Sequence, residues 1–198
     1  MRGEFEDCEE AAAAGGLAAG LAAALAGAGV GGPPGRIAAL PADQVPDGAP
    51  VVPHRLGDLE GIRFVRTEPA GRDQDGRLAV FAALLGAVRL AVTRRLLDRA
   101  VGHLAGRTSG GEPTLRRQLV LGTVADVFTG IEAARQYLLV AGHIPAAVID
   151  AHDRATELDW EAAKLLGASG YLADGPARGA YVSRLTANCW IPRRGGVL

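Results

Sequence analysis

The clearest pattern in the sequence is the helical spacing of apolar residues after residue 76. Steps of three or four residues separate most members of a first stripe, formed by Leu78, Phe81, Leu85, Val88, Val92, Leu96 and Leu104. This spacing predicts a helix over about 77–106, and similar stripes predict helices over about 114–141, 145–167 and 177–188. Antiparallel helices joined by short loops are typical of a four-helix bundle, so we expect residues 77–190 to form one.

The residues before the predicted bundle have a different pattern. Alanine, leucine and glycine dominate residues 1–30, which predicts a small-residue helix from about Glu9 to Ala26. Prolines and glycines recur through 31–76 and exclude long helices there. The short apolar runs of this segment predict strands that form a small sheet or a wrapped arm, at 37–40, 51–52 and 62–65. Residues 191–198 are expected to be a C-terminal tail.

The amino-acid composition limits the fold class and the kinds of partner that we expect. Alanine accounts for 38 of the 198 residues and aromatic residues for only 5%, which favours close helix packing and an all-α fold. With 21 basic and 22 acidic residues, the chain has no basic excess to neutralise phosphates, so we expect no nucleic-acid partner. The acidic residues before the alanine-rich helix argue against a signal peptide or membrane span.

The cysteine pattern sets an expectation for the compartment. Cys8 and Cys189 lie near opposite ends of the chain, with no CxxC pair and no histidine cluster beside them. We therefore expect neither a disulfide framework nor a metal site, and a cytoplasmic location.

Polar residues inside the predicted helices suggest an acid/base pair. His152 lies on the third predicted helix and could act with Tyr137 or Asp126. Tyr171, in the turn before the fourth helix, is a further catalytic candidate. The alternative is a hydrated helix face with one hydrogen-bonded histidine. Two interpretations are also open for Trp190, which lies just before the C-terminal tail. It either covers a pocket or contacts a partner subunit, or it packs on its own bundle.

A motif after the first bundle helix resembles a known family. Arg107, Gly111, Pro113 and Gln118 keep the spacing R-x-x-x-G-x-P-x-x-x-x-Q. This is similar to the segment that joins the first two helices of the C-terminal domain of acyl-CoA dehydrogenases. Further similar motifs span about 78–190, namely Leu97-Asp98, Val124-Ala125-Asp126, Ile131-Glu132-Ala133-Ala134-Arg135, Gly167-Ala168-Ser169-Gly170-Tyr171, Asp174, Pro176 and Tyr181.

The resemblance implies a cofactor and an oligomer. In that family the loop arginine and the later glutamine contact the FAD of a neighbouring subunit, so it implies FAD contacts at a subunit interface for Arg107, Gly111 and Gln118. It also implies a homo-oligomer, or a hetero-oligomer with a related subunit, and an acyl thioester as substrate. Asp126 and Glu132 would be polar anchors inside the bundle.

Other family positions are lost. The catalytic glutamate that removes the α-proton falls on Ile191, and the alternative base position of some relatives falls near Phe81. The second glycine of the GGxGY turn is Ala168, and the arginine-aspartate pair after the tyrosine falls on Val182-Ser183. No part of these 198 residues resembles the family's N-terminal helical domain, and only residues 36–66 are loosely similar to part of its β-domain.

Three functions fit these residues. The first is a small acyl-CoA dehydrogenase-like subunit without a catalytic base, which pairs with a longer homologue to complete an FAD and acyl-thioester site. The second is a stand-alone flavin-free cyclase, dehydratase or isomerase that reuses the bundle on a CoA- or carrier-linked intermediate in natural-product biosynthesis. The third is a non-catalytic structural or dimerisation protein.

Overall fold

The bundle helices are the main elements of the computed structural model, which describes residues 2–69 and 76–191 (except the side chain of Ser109). Over these ranges the helices are α1 (Arg2–Ala28), α2 (Arg55–Leu59), α3 (Arg77–Ala105), α4 (Gln118–Ala141), α5 (Pro145–Leu165) and α6 (Arg178–Trp190). The strands are β1 (Ile37–Pro41), β2 (Val51–Val52), β3 (Ile62–Arg66), β4 (Thr108–Ser109) and β5 (Glu112–Pro113). The predicted all-α class with a short β segment is confirmed.

The centre of the fold is α3. Every residue from Phe81 to Leu90 is buried, because α1, α4, α5 and α6 all pack around this helix. An apolar residue on every face is the pattern of a helix with neighbours on every side. Gly106 follows its last residue, close to the end predicted from the apolar spacing.

The other three bundle helices lie close to their predicted positions. Residues 114–116 form a 3-10 turn, so α4 begins at Gln118 rather than at 114. Pro145 is in the first turn of α5, where a missing N–H costs no hydrogen bond. Residues 167–171 form another 3-10 turn before α6.

The N-terminal helix is longer and more deeply packed than the sequence suggested. α1 is kinked at Gly16, whose φ of 83° and ψ of −168° suit glycine. Gly20 lies against α3, where an added Cβ would be only 2.8 Å from a methyl carbon of Val88. By length and composition alone α1 could cross a membrane, but here its buried face contributes Phe5, Cys8, Ala12, Leu17, Leu21 and Ala24 to the core.

The three predicted strands form one antiparallel sheet in the order β1-β3-β2. Ile37 pairs with Arg66, and Val52 pairs with Phe64. Ala38, Ala39 and Phe64 turn their side chains into the main core, so the sheet is packed onto the helices.

The packing resolves the expectations for three individual residues. Trp190 is 2% exposed and donates a hydrogen bond from Nε1 to the carbonyl of Ala39 at 2.9 Å, so it packs on its own chain. The expectation that Asp126 lies inside the bundle is wrong, because its side chain is on the exposed face of α4. Glu132 is half-buried and pairs with Arg94 of α3 at 3.3 Å. The predicted tail lies outside the described residues after Ile191.

Candidate functional site

The first candidate site is the hairpin between α3 and α4. β4 pairs with β5 through a two-residue turn made by Gly110 and Gly111. Both glycines have positive φ, 65° and 84°, as such a tight hairpin requires. No atom lies within 4 Å of a Cβ built on Gly111, so the backbone can be approached closely from outside.

Arg107 and Gln118 flank this hairpin, and both are exposed. A guanidinium nitrogen of Arg107 lies 3.1 Å from Nε2 of His103, one helical turn earlier. Gln118 is the first residue of α4, and no side chain of the N-cap residue bonds to the first backbone N–H groups of this helix. A guanidinium, a side-chain amide and a helix N-terminus are groups that bind a diphosphate well. The residues beside this hairpin therefore fit the diphosphate part of FAD.

The second candidate site is the pair of positions where the resemblance expects a catalytic base. Ile191 and Phe81 are 8% and 0% exposed and belong to the main core. The ring centre of Phe81 lies 4.6 Å from that of Trp190. Both positions are thus filled by packed apolar side chains, which can neither accept a proton nor admit a substrate.

The third candidate, His152, is 5% exposed and lies between α5 and α3. Its Nε2 is 2.9 Å from the carbonyl oxygen of Ala82, which can only accept, so Nε2 carries the proton. Its Nδ1 therefore accepts from a guanidinium nitrogen of Arg89 at 3.2 Å. Burial, together with the charge of Arg89, lowers the pKa of His152 to about 3. The imidazole is neutral and both nitrogens are occupied.

Arg89 connects His152 to a buried polar cluster that sequence reasoning missed. Its guanidinium donates to the backbone oxygen of His152 at 2.8 Å, to Thr156 at 2.9 Å and to Asp159 at 3.4 Å. Thr93 donates to the other carboxylate oxygen of Asp159 at 2.7 Å. Burial raises the pKa of Asp159, while Arg89 and Thr93 oppose that shift. We call this set the Arg89 cluster.

The sequence contained one signal for this cluster. Arg89 interrupts an otherwise apolar run from Phe81 to Val92, and an arginine there must either reach solvent or find a buried partner. The partner Asp159 lies seventy positions later, so no local pattern could identify it.

The two tyrosine candidates lie in different places. Tyr137 is 44% exposed on α4, and the described hydrogen bonds of His152 do not include it. Tyr171 lies at the mouth of a cavity of about 280 Å³ between α5, α6, α2 and the turn at 167–171. Thr156 and Asp159 of the Arg89 cluster reach the same cavity, whereas His152 does not line it. Within residues 2–69 and 76–191, no three His, Cys, Asp or Glu side chains are grouped to hold a metal ion.

Comparison with known proteins identifies the bundle. Residues 72–190 match the family described as acyl-CoA dehydrogenase, C-terminal domain. A search of curated proteins found no significant match.

Several solved structures share the fold. Butyryl-CoA dehydrogenase from Megasphaera elsdenii superposes with a TM-score of 0.56 and 19% identity, over 72% of this chain and 46% of that one. A glutaryl-CoA dehydrogenase from Mycobacterium smegmatis in complex with FADH2 gives 0.55 and 16%, over 73% and 45%. A variant of the Tcur3481-Tcur3483 steroid ACAD gives 0.56 and 20%, over 71% and 43%. The chain therefore spans less than half the length of each of these relatives.

Proposed function

The chain belongs to the acyl-CoA dehydrogenase family, whose C-terminal domain it contains, and on this premise we propose that it is a small subunit without a catalytic base. It pairs with a longer homologue and completes an FAD and acyl-thioester site at the interface. The longer partner supplies the base, most of the flavin site and the thioester pocket.

The observation that carries this proposal is a contrast between two sets of family positions. The positions expected to act within one subunit, Ile191 and Phe81, are apolar and packed in the core. The positions expected to face a neighbour's cofactor, Arg107, Gly111 and Gln118, keep their residue types and lie at the surface. A chain that retains only the neighbour-facing half of a site is suited to complete the site of another chain.

The surface of α4 supports a partner of this kind. This helix follows the hairpin directly and exposes large apolar side chains along its length, including Leu119 at 87% and Val140 at 75%. Phe128 and Tyr137 are also more than two-fifths exposed on the same helix. Exposed apolar area of this kind is typical of a surface that another protein covers.

The residues of this chain would act on the cofactor by binding alone. FAD, when bound, accepts a hydride from the substrate. Arg107 would place its guanidinium on the diphosphate, and the open backbone at Gly111 would let the phosphate oxygens approach closely. Gln118 would hydrogen-bond at the adenine end, as the resemblance implies.

The alternative of a flavin-free enzyme has weaker support. Of its three candidate catalytic residues only Tyr171 lines the cavity between α5 and α6. His152 is buried with both nitrogens bonded, and Tyr137 lies on the exposed side of α4. A dimerisation protein without catalysis would use the α4 surface alone and would not need Arg107.

The test is co-expression with each longer homologue encoded nearby, followed by mass measurement and a flavin absorbance spectrum. We expect a mixed complex that contains flavin, and colourless protein when this chain is purified alone. The double variant Arg107→Ala, Gln118→Ala should still assemble but weaken flavin binding at least tenfold, because it loses charge-assisted hydrogen bonds.

Two further variants make the result specific. Arg154→Ala removes an exposed arginine of α5 and should leave flavin binding unchanged. The pair Leu119→Ser, Val140→Ser should keep the fold but abolish copurification. If the chain stays free with every homologue, or if the Arg107 and Gln118 double variant retains flavin like the wild type, the proposal is wrong.

A further inference from the structure

The cavity beside Tyr171 is separate from the family positions on which the proposed function rests. Its walls come from α2, α5, α6 and the turn at 167–171, whereas the hairpin with Arg107 lies between α3 and α4. Its volume of about 280 Å³ is near the lower end for small-molecule sites. Apolar side chains form most of the wall, among them Leu56, Ala163 and Leu172.

The entrance of this cavity is aromatic. Trp160, Tyr171 and Tyr181 all line it, and they are 48%, 59% and 40% exposed. The ring centres of Trp160 and Tyr171 are 6.2 Å apart, and their planes are inclined by 33°. Three partly exposed rings at a concave apolar site offer flat surfaces on which a planar group can stack.

The charges at the cavity leave one positive group in excess. Arg178 is paired with Glu60 at 2.7 Å. Asp159 is paired with Arg89. Arg184 also lines the cavity, with its guanidinium carbon 5.7 Å from the ring centre of Tyr181, and its charge acts on Asp159, which is already paired with Arg89. The remaining guanidinium is thus available for a carboxylate, which it can bind through two hydrogen bonds.

The polar atoms in the floor of the cavity are already engaged. Thr156 donates to the carbonyl of His152 and accepts from Arg89. Both carboxylate oxygens of Asp159 accept hydrogen bonds within the Arg89 cluster. The floor therefore holds a fixed shape and adds no new donor, so Arg184 is the group that selects the ligand by charge.

We propose that this cavity binds a small carboxylate with a flat apolar body. The apolar part enters between α5 and α6 and stacks against Trp160, and the carboxylate meets Arg184 at the rim. This site belongs to the chain alone and requires neither flavin nor a partner subunit.

The test is a titration of the purified full chain with three ligands of matched shape and different charge: phenylacetate, 2-phenylethanol and phenethylamine. Binding is measured by calorimetry and by the change in tryptophan fluorescence, which should come from Trp160 because Trp190 is buried in the core away from the ligand. We expect phenylacetate to bind at sub-millimolar to millimolar concentration, about tenfold more tightly than the alcohol, and the amine to bind most weakly.

Variants distinguish recognition of the ligand's charge from nonspecific hydrophobic binding. Arg184→Gln should reduce the affinity for phenylacetate about tenfold and leave that for 2-phenylethanol unchanged. Arg154→Gln should change neither affinity, because Arg154 does not line the cavity, lies near Gly130 of α4 and is paired with Glu157. Ala177→Phe, which places a large group in the cavity wall, should abolish binding of all three ligands. Circular dichroism confirms that each variant is folded.

Several outcomes would overturn the inference. These are equal binding of the three ligands, undiminished phenylacetate binding in folded Ala177→Phe or Arg184→Gln protein, or no binding of phenylacetate up to about 10 mM. Because the chain is tested alone and without flavin, these results are independent of whether it forms a mixed dehydrogenase complex.

Discussion

α3 and α4 have similar apolar contents but opposite surroundings. α3 is enclosed by four other helices, and ten consecutive residues from Phe81 to Leu90 are buried. α4 fully buries only Val127, Gly130, Ile131, Ala134 and Leu138, and it exposes five other large side chains, Leu119, Leu121, Phe128, Tyr137 and Val140. The chain thus supplies every neighbour that α3 needs but only one side of the packing that α4 needs. This difference supports the proposal that another protein covers α4.

Charged groups show the same contrast, and the largest effect is expected there. Arg89 of α3 points inward and holds a buried carboxylate, so Arg89→Ala should lower the free energy of unfolding by about 3–5 kcal/mol, because Asp159 would be left buried and unpaired. Urea unfolding monitored by circular dichroism measures this loss.

Arg94 is the matched control on the same helix. It points toward α4, where it meets Glu132 at 3.3 Å and the ring of Phe128 at 4.3 Å, with 39% of its side chain exposed. Arg94→Ala should cost no more than about 1 kcal/mol. If Arg89→Ala and Arg94→Ala lower the free energy of unfolding equally, the conclusion that Arg89 points inward and Arg94 outward is wrong.

A second prediction compares leucines on the two helices. Leu84 of α3 is 0% exposed, so Leu84→Ala should cost about 2–5 kcal/mol through lost burial and a cavity. Leu119 of α4 is 87% exposed, so Leu119→Ala should change stability by less than about 0.5 kcal/mol. Thermal and urea unfolding of the isolated chain compare them. A large loss for Leu119→Ala would mean that α4 already has a partner, such as a second copy.

The smallest expected effect is a loss of stability at acidic pH. His152 packs between α5 and α3 with a pKa lowered to about 3, against about 6.5 when unfolded, so folding requires the neutral ring. Its contribution is fully present above about pH 6.5 and is lost as the pH falls toward 3. Lowering the pH from about 7.5 to about 5 should therefore cost about 2 kcal/mol through this residue.

The pH effect is isolated by subtraction, because Asp159 and other carboxyl groups also titrate. In the His152→Gln variant, the free energy of unfolding should fall less between about pH 7.5 and about pH 5, by that amount. His143→Gln, at an exposed position after α4, should have the same pH dependence as the wild type. If urea unfolding gives the two variants the same change in stability across this pH range, the role given to His152 is wrong.

Much of this fold could be predicted from the sequence, because local patterns specify it. The apolar spacing that begins at Leu78 and Pro145 at the start of α5 are local signals, and the helices lie where they predicted. The short strands around Val51 and Ile62 were equally readable from apolar runs between prolines. The identification of the family depended on motif spacing, which is also local.

What the sequence could not provide depended on distant contacts. The packing of α1 against α3 relies on small residues such as Gly20 fitting against Val88, and alanine-rich helices give little periodic signal. Asp126 keeps its place in the motif but lies on the outer face, since register along a helix does not fix which face has a neighbour. The cavity at Tyr171 and the pairing of Arg89 with Asp159 exist only after α3, α5 and α6 have come together.

The packing of α1 on α3 also has a consequence for synthesis. α1 ends at Ala28, and its main partner does not begin until Arg77. At about 5–20 residues per second, the ribosome needs several seconds to make the intervening chain and α3. During that time the main partner that covers this helix in the fold has not been made, although the helix is long and apolar enough to cross a membrane. We therefore expect nascent chains of this protein to need a chaperone, or very rapid elongation, to avoid aggregation or misrouting before α3 emerges.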